Sequence, residues 1–131
     1  MIENITVVNL KIQGNSNRPE VDFNAKTGEL VLTGRSILEN TLRFYEPILD
    51  WIDTYCKNPA ENTSFHLKLE YFNTSTSKFL LSIIEKLEEL YSGGSDVKIY
   101  WYYVDEDMQE LGEDYRNIVE LPFQLIAFSM N

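Results

Sequence analysis

The chain predicts an α/β fold: one mixed β-sheet with helices packed mainly on one face. Three observations carry that expectation. In the second half, strand-like alternation and helical periodicity replace each other in turn, as parallel strands joined by right-handed crossovers require. Before them, two short apolar runs flank a glycine turn, which adds an antiparallel hairpin. The 131 residues are 44% hydrophobic, and a chain of that size buries roughly 68% of the surface its unfolded form exposes, enough for one core and one domain spanning residues 1–131.

The expected order is β-β-β-α-β-α-β-α-β. Ile5, Val7, Leu10 and Ile12 alternate loosely and predict a first strand or extended arm over Ile5 to Ile12. Gly14 to Pro19 is loop chemistry. Val21-Asp22-Phe23 and Leu30-Val31-Leu32 form the hairpin, Gly28 supplies a positive φ in its turn, and Gly34 closes the second arm. From about Asn40 to Lys57 the period becomes helical, with Leu42, Tyr45, Ile48, Leu49, Ile52 and Tyr55 on one apolar stripe and Asn40 or Ser36 as cap. Pro47 interrupts that stripe and predicts a kink or two short helices. Asn58-Pro59 ends the element.

Ser64 to Phe72 is the clearest strand, with Phe65, Leu67, Leu69 and Tyr71 on one side and His66, Lys68 and Glu70 on the other. Ser75 to Tyr91 is the clearest helix, stopped by Gly93-Gly94. Asp96 to Val104 is an aromatic strand, Asp107 to Ile118 an acidic helix, and Pro122 to Phe128 a last strand that begins where a missing donor is tolerated.

Composition narrows the function. A formal charge of −10 opposes nucleic acid and anionic membrane surfaces as partners, and leaves a basic protein surface as a fitting one. No apolar run approaches the ~20 residues of a membrane helix. The single Cys56 excludes an internal disulfide and reads as a buried, inert thiol. With Met1-Ile2-Glu3-Asn4 acidic and polar rather than signal-like, a cytoplasmic location is expected.

The usual catalytic constellations lack members. His66 has no cysteine, aspartate or second histidine at ligand spacing, and reads as a structural or surface histidine. No dinucleotide, Walker, zincin, hydrolase-elbow or CxxC pattern occurs, so no cofactor is expected. Gly93-Gly94 ends a helix rather than opening one. Asp105, Glu106, Asp107, Glu110, Glu113 and Asp114 do not have EF-hand spacing and read as a solvated helix face. The run Tyr100 to Tyr103 divides between both faces of a strand, with one exposed ring available to a partner.

One stretch stands apart. Asn73-Thr74-Ser75-Thr76-Ser77 places five hydroxyl or amide side chains where a strand gives way to a helix, followed by Lys78. Asn73, Thr74 or Ser75 caps the helix by accepting a free backbone N–H. Capping needs only one of them. A serine nucleophile requires a base that the turn lacks, whereas phosphorylation requires only exposure and a kinase. Two other classes stay open: a small anion- or ligand-binding domain or enzyme using residues 73–78, and a constitutive assembly protein whose aromatic strand makes a homodimer.

The run Gly34-Arg35-Ser36, Glu39-Asn40, Pro47 to Trp51, Leu69 to Lys78, Trp101-Tyr102-Tyr103 and the acidic segment resembles the SiaC family of bacterial regulatory phosphoproteins over nearly the whole chain. Its most specific pieces are Tyr71-Phe72-Asn73-Thr74-Ser75 and the Asp50-Trp51 helix. More distantly, the strand-to-helix turn resembles STAS-type anti-anti-sigma proteins, which makes the expected fold STAS-like. The resemblance implies a non-enzymatic partner-switching protein. A cognate anti-sigma-type kinase would phosphorylate Thr74, with Ser75 as the alternative, and a PP2C-like phosphatase would reverse it. The unphosphorylated form would activate an effector such as a diguanylate cyclase, raising cyclic di-GMP and promoting biofilm. Asn73, Ser75 and Thr76 would shape the turn, and Lys78 would meet the phosphate or a partner.

Overall fold

The structure is a computed structural model and describes residues 7–129. Its elements are β1 (Leu10–Ile12), β2 (Glu20–Phe23), β3 (Glu29–Ser36), α1 (Thr41–Lys57), β4 (Asn62–Phe72), α2 (Thr74–Ser92), β5 (Asp96–Tyr103), α3 (Glu106–Ile118) and β6 (Phe123–Ala127), the order expected. The strands lie side by side in chain order in one sheet. β1, β2 and β3 pair antiparallel. β3, β4, β5 and β6 pair parallel, and one helix joins each of these strands to the next.

Alternation explains why the helices share a face. Leu30 and Leu32, Phe65, Leu67 and Leu69, and Val97, Ile99 and Trp101 are buried beneath them. Their sequence neighbours Val31, Thr33, His66, Lys68, Tyr100 and Tyr102 are only half-buried, on the other face. Each helix adds its own stripe, including Tyr45, Ile48 and Ile52 from α1 and Leu80, Ile83, Ile84 and Leu87 from α2. The smallest helix, α3, sits close. A Cβ on Gly112 would lie 2.6 Å from the Trp101 ring, so only glycine fits there, and the Trp101 indole donates to the Met108 carbonyl at 2.9 Å.

Several expectations need correction. The first strand covers only Leu10–Ile12, and Ile5 lies outside the described residues. Gly34 does not close its arm, since β3 continues to Ser36. Asn40, not Ser36, caps α1. Leu42 is 55% exposed, while Thr41 and Trp51 take places on the buried side. α1 is one helix, not two: Pro47 lies on its exposed side and leaves the Arg43 carbonyl without its usual donor, but the buried stripe holds both halves. Cys56 is half-buried rather than buried, and desolvation pushes its thiol up to about 11, with the Asp53 carboxylate adding to the effect.

Tyr71 departs for a topological reason. Gly34 pairs with Leu69 but Arg35 pairs with Tyr71, so Glu70 is an extra residue in β4. Gly34 adopts φ +108° at that irregularity. The bulge reverses the alternation, turning Tyr71 out to 51% exposure and Phe72 into the core. The last strand was expected from Pro122 and begins one residue later, at Phe123.

Candidate functional site

The bulge delivers β4 to the start of α2 with Phe72 anchored inside, and Asn73 alone makes the turn. Its backbone is extended (φ −87°, ψ 170°), and it is the N-cap. The Asn73 N–H donates to the Ser36 carbonyl at 3.2 Å, tying the turn to the end of β3. The Asn73 Oδ1 accepts from the Thr76 N–H at 3.3 Å and from the Ser75 hydroxyl at 2.9 Å, and lies 3.0 Å from the Thr76 hydroxyl. One amide oxygen therefore organises the whole first turn.

Behind it runs a chain of hydroxyls. Thr76 is fully buried, with its Oγ1 2.8 Å from the Ser36 Oγ, which lies 2.9 Å from the Tyr45 hydroxyl. Burial holds the Tyr45 phenol well above its ordinary pKa, so it stays a neutral partner. The Ser75 Oγ also lies 2.8 Å from the Thr41 Oγ1 at the start of α1. Because Ser75 gives its proton to Asn73, it accepts from Thr41, whose single proton is shared with the Leu38 carbonyl at 3.4 Å. Ser36, Thr41 and Tyr45 are thus members of the site that sequence reasoning did not assign to it. They lie 34 or 40 residues from the turn or reach it through Ser36, so no local spacing marks them.

Thr74 stands outside this chain. It is exposed, and among the described residues its hydroxyl has no hydrogen-bond partner. Its carbonyl accepts from the Ser77 hydroxyl at 2.7 Å. Together with Phe72, Asn73, Ser77 and Leu111 it lines a depression of about 200 Å³ between the start of α2 and α3. Tyr115 closes the back of that contact by donating to the Ser77 carbonyl at 2.8 Å. Lys78 is exposed with its ammonium 5.2 Å from the centroid of the neighbouring Phe79 ring.

The electrostatic setting is as informative as the contacts. The first turn of α2 holds no acidic residue, whereas α3 starts with Asp105 as cap followed by Glu106 and Asp107. Backbone donors and the positive end of the helix dipole at Thr74 and Ser75 are therefore not offset by a carboxylate of the same turn. No base stands by. His66 lies on the open sheet face, 2.8 Å from the Glu29 carboxylate and 3.1 Å from the Tyr102 hydroxyl, stacked on Tyr100. Among the described residues, no group of three or more histidine, cysteine or acidic side chains converges to hold a metal. No helix among them is long and apolar enough to cross a membrane.

Comparison with known proteins points one way. The family model described as SiaC family regulatory phosphoprotein matches residues 12–128. A protein of Pseudomonas aeruginosa (strain UCBPP-PA14), described as uncharacterized, is 30% identical over 120 residues, covering 90% of this chain and 95% of its own. The crystal structure of apo-SiaC from Pseudomonas aeruginosa is similar with a TM-score of 0.85 at 29% identity, covering 91% of this chain and 98% of that one. A chain in the structure of the diguanylate cyclase SiaD in complex with its activator SiaC, from the same organism, reaches 0.86 at 30% identity, covering 91% and 99%.

Proposed function

The chain belongs to the SiaC family of regulatory phosphoproteins, and from that premise we propose a non-enzymatic partner-switching role with Thr74 as the phosphorylated residue. The unphosphorylated form binds and activates an effector, a diguanylate cyclase, as SiaC of Pseudomonas aeruginosa is the activator of SiaD. A cognate anti-sigma-type kinase adds the phosphate, and a PP2C-like phosphatase removes it. The output is cyclic di-GMP and biofilm signalling.

One observation carries the choice of residue. In the hydroxyl run, Thr74 alone combines exposure with a hydroxyl free of partners among the described residues. Ser75 has its hydroxyl between Asn73 and Thr41, and Thr76 is buried. A kinase can take Thr74 without unmaking the cap. The product adds about −1.5 to −2 charges at a helix start that offers free N–H groups and has no acidic residue in its own first turn. The domain therefore tolerates the phosphate. A partner seated against Phe72, Thr74 and Leu111 does not, because a dianion placed in an apolar contact must be desolvated.

Co-expression with the cognate kinase followed by mass spectrometry is expected to place phosphate on Thr74, and Thr74→Ala is expected to abolish it. Thr74→Ala keeps cyclase binding, while Thr74→Glu weakens it about tenfold or more, a loss of ~1.4 kcal/mol. Phosphate found only on Ser75 or elsewhere, or equal affinities for wild type and Thr74→Glu, would overturn the assignment.

A further inference from the structure

The two edges of the sheet are built differently. β1 is three residues long with the exposed Lys11 at its centre, the short, charged form that discourages strand addition. β6 is five residues long and carries no charge. No charged residue occurs from Leu121 to Asn131, in a chain of net charge −10. The register with β5, together with the bonds from the Ile99 N–H to the Pro122 carbonyl and from the Phe128 N–H to the Tyr103 carbonyl, assigns the even-numbered residues of β6 to the β5 ladder. Phe123, Leu125 and Ala127 therefore point their N–H and C=O groups outward, and among the described residues no strand lies beyond them.

We propose that this edge is a self-association surface, on which β6 pairs antiparallel with β6 of a second copy of the chain. A two-fold axis beside Leu125 satisfies all three outward-facing residues at once. Leu125 then faces its own copy, Phe123 faces Ala127, and Gln124 faces Ile126. The large Phe123 meets the small Ala127, and no charge meets a like charge across the strands. The helix above the edge permits the approach. Gly112 faces the sheet and Leu111 faces the Thr74 depression, so Glu113 and Arg116 lie on the opposite side of α3, above the β6 edge. That side carries two acids, Glu106 and Glu113, with Arg116 as its one base. A foreign strand would need a matching uncharged pattern, whereas a second copy has it by symmetry. The surface lies across α3 from the switch turn, so this inference does not depend on the phosphorylation reading.

Light scattering over a concentration series is expected to show a mass rising from 15.3 kDa toward twice that value. Ala127→Pro removes one outward N–H and leaves the β5 ladder intact; Gln124→Lys brings two cations into the paired strands; Arg116→Glu makes the flanking helix side wholly acidic. Each is expected to raise the dimer dissociation constant at least tenfold. Amide exchange of Phe123, Leu125 and Ala127 should slow with concentration in the wild type and not in these variants. Circular dichroism monitors folding, and Gln124→Lys, at an exposed position, keeps the test valid if the proline variant misfolds. A mass of 15.3 kDa at every concentration up to about 1 mM, or a dimer insensitive to Gln124→Lys, would overturn the proposal.

Discussion

At the scale of single residues, the turn from Asn73 to Ser77 sorts by what each oxygen touches. Asn73 caps, Ser75 and Thr76 brace, Ser77 closes on the Thr74 carbonyl, and the Thr74 hydroxyl is left facing outward. The brace extends to Ser36, which sits between the buried Thr76 and Tyr45 hydroxyls. Ser36→Ala leaves both without that partner, and the expected loss is about 1–3 kcal/mol. Thermal melts should show a drop of several degrees, while phosphorylation by the kinase stays on the same residue. An unchanged melting temperature would mean that the hydroxyl chain contributes nothing. Asn73 as a capping candidate was readable locally, because a cap and the N–H that it accepts are three residues apart. Of the two cap candidates for α1, Asn40 takes the role, while Ser36 meets Tyr45 of α1 and Thr76 of α2, which local spacing does not reveal.

Elements show where periodicity succeeds and where it stops. α2 was legible nearly to the residue, since its apolar positions keep one period from Phe79 to Leu87 and Gly94, at φ +106°, follows its C-cap. α1 was legible in extent but not in detail. Its buried stripe outweighs one missing backbone bond, so Pro47 passes through without ending the helix. Pro47→Ala restores an N–H for the Arg43 carbonyl and removes the ring clash. A gain of about 1 kcal/mol or more follows, provided the groove against Val7 and Trp51 closes over the smaller side chain. Denaturant titration reads that gain, and a destabilised variant would instead assign Pro47 a packing role in the groove. In β4, Tyr71 continues the sequence alternation but not the structural one. The extra residue at Glu70 is visible only in the pairing with β3.

At the scale of the whole molecule, charge and topology govern. The net charge of −10 is offset only locally, by exposed pairs such as Lys86 with Asp53 and Arg35 with Glu70, and such pairs contribute little. Self-repulsion therefore dominates. Raising ionic strength from about 0.01 M to about 0.15 M, which shortens the screening length from roughly 30 to 8 Å, is expected to raise the melting temperature. A fall would mean that the surface pairs outweigh the repulsion. By itself the sequence determined the α/β class, the element order, the exclusion of the familiar catalytic motifs and the hydroxyl run, because periodicity, glycine turns and capping act over a few residues. Only the tertiary structure decided which hydroxyl of that run is free, which edge of the sheet is open, and that Tyr71 faces out. Those depend on which strands and helices become neighbours, and contacts between residues 34 or 40 positions apart leave no spacing in the chain to read. The turn from Asn73 to Ser77 contains both kinds of information: its composition supplies a run of hydroxyls at a helix start, and its packing leaves the Thr74 hydroxyl outside the hydrogen-bonded chain.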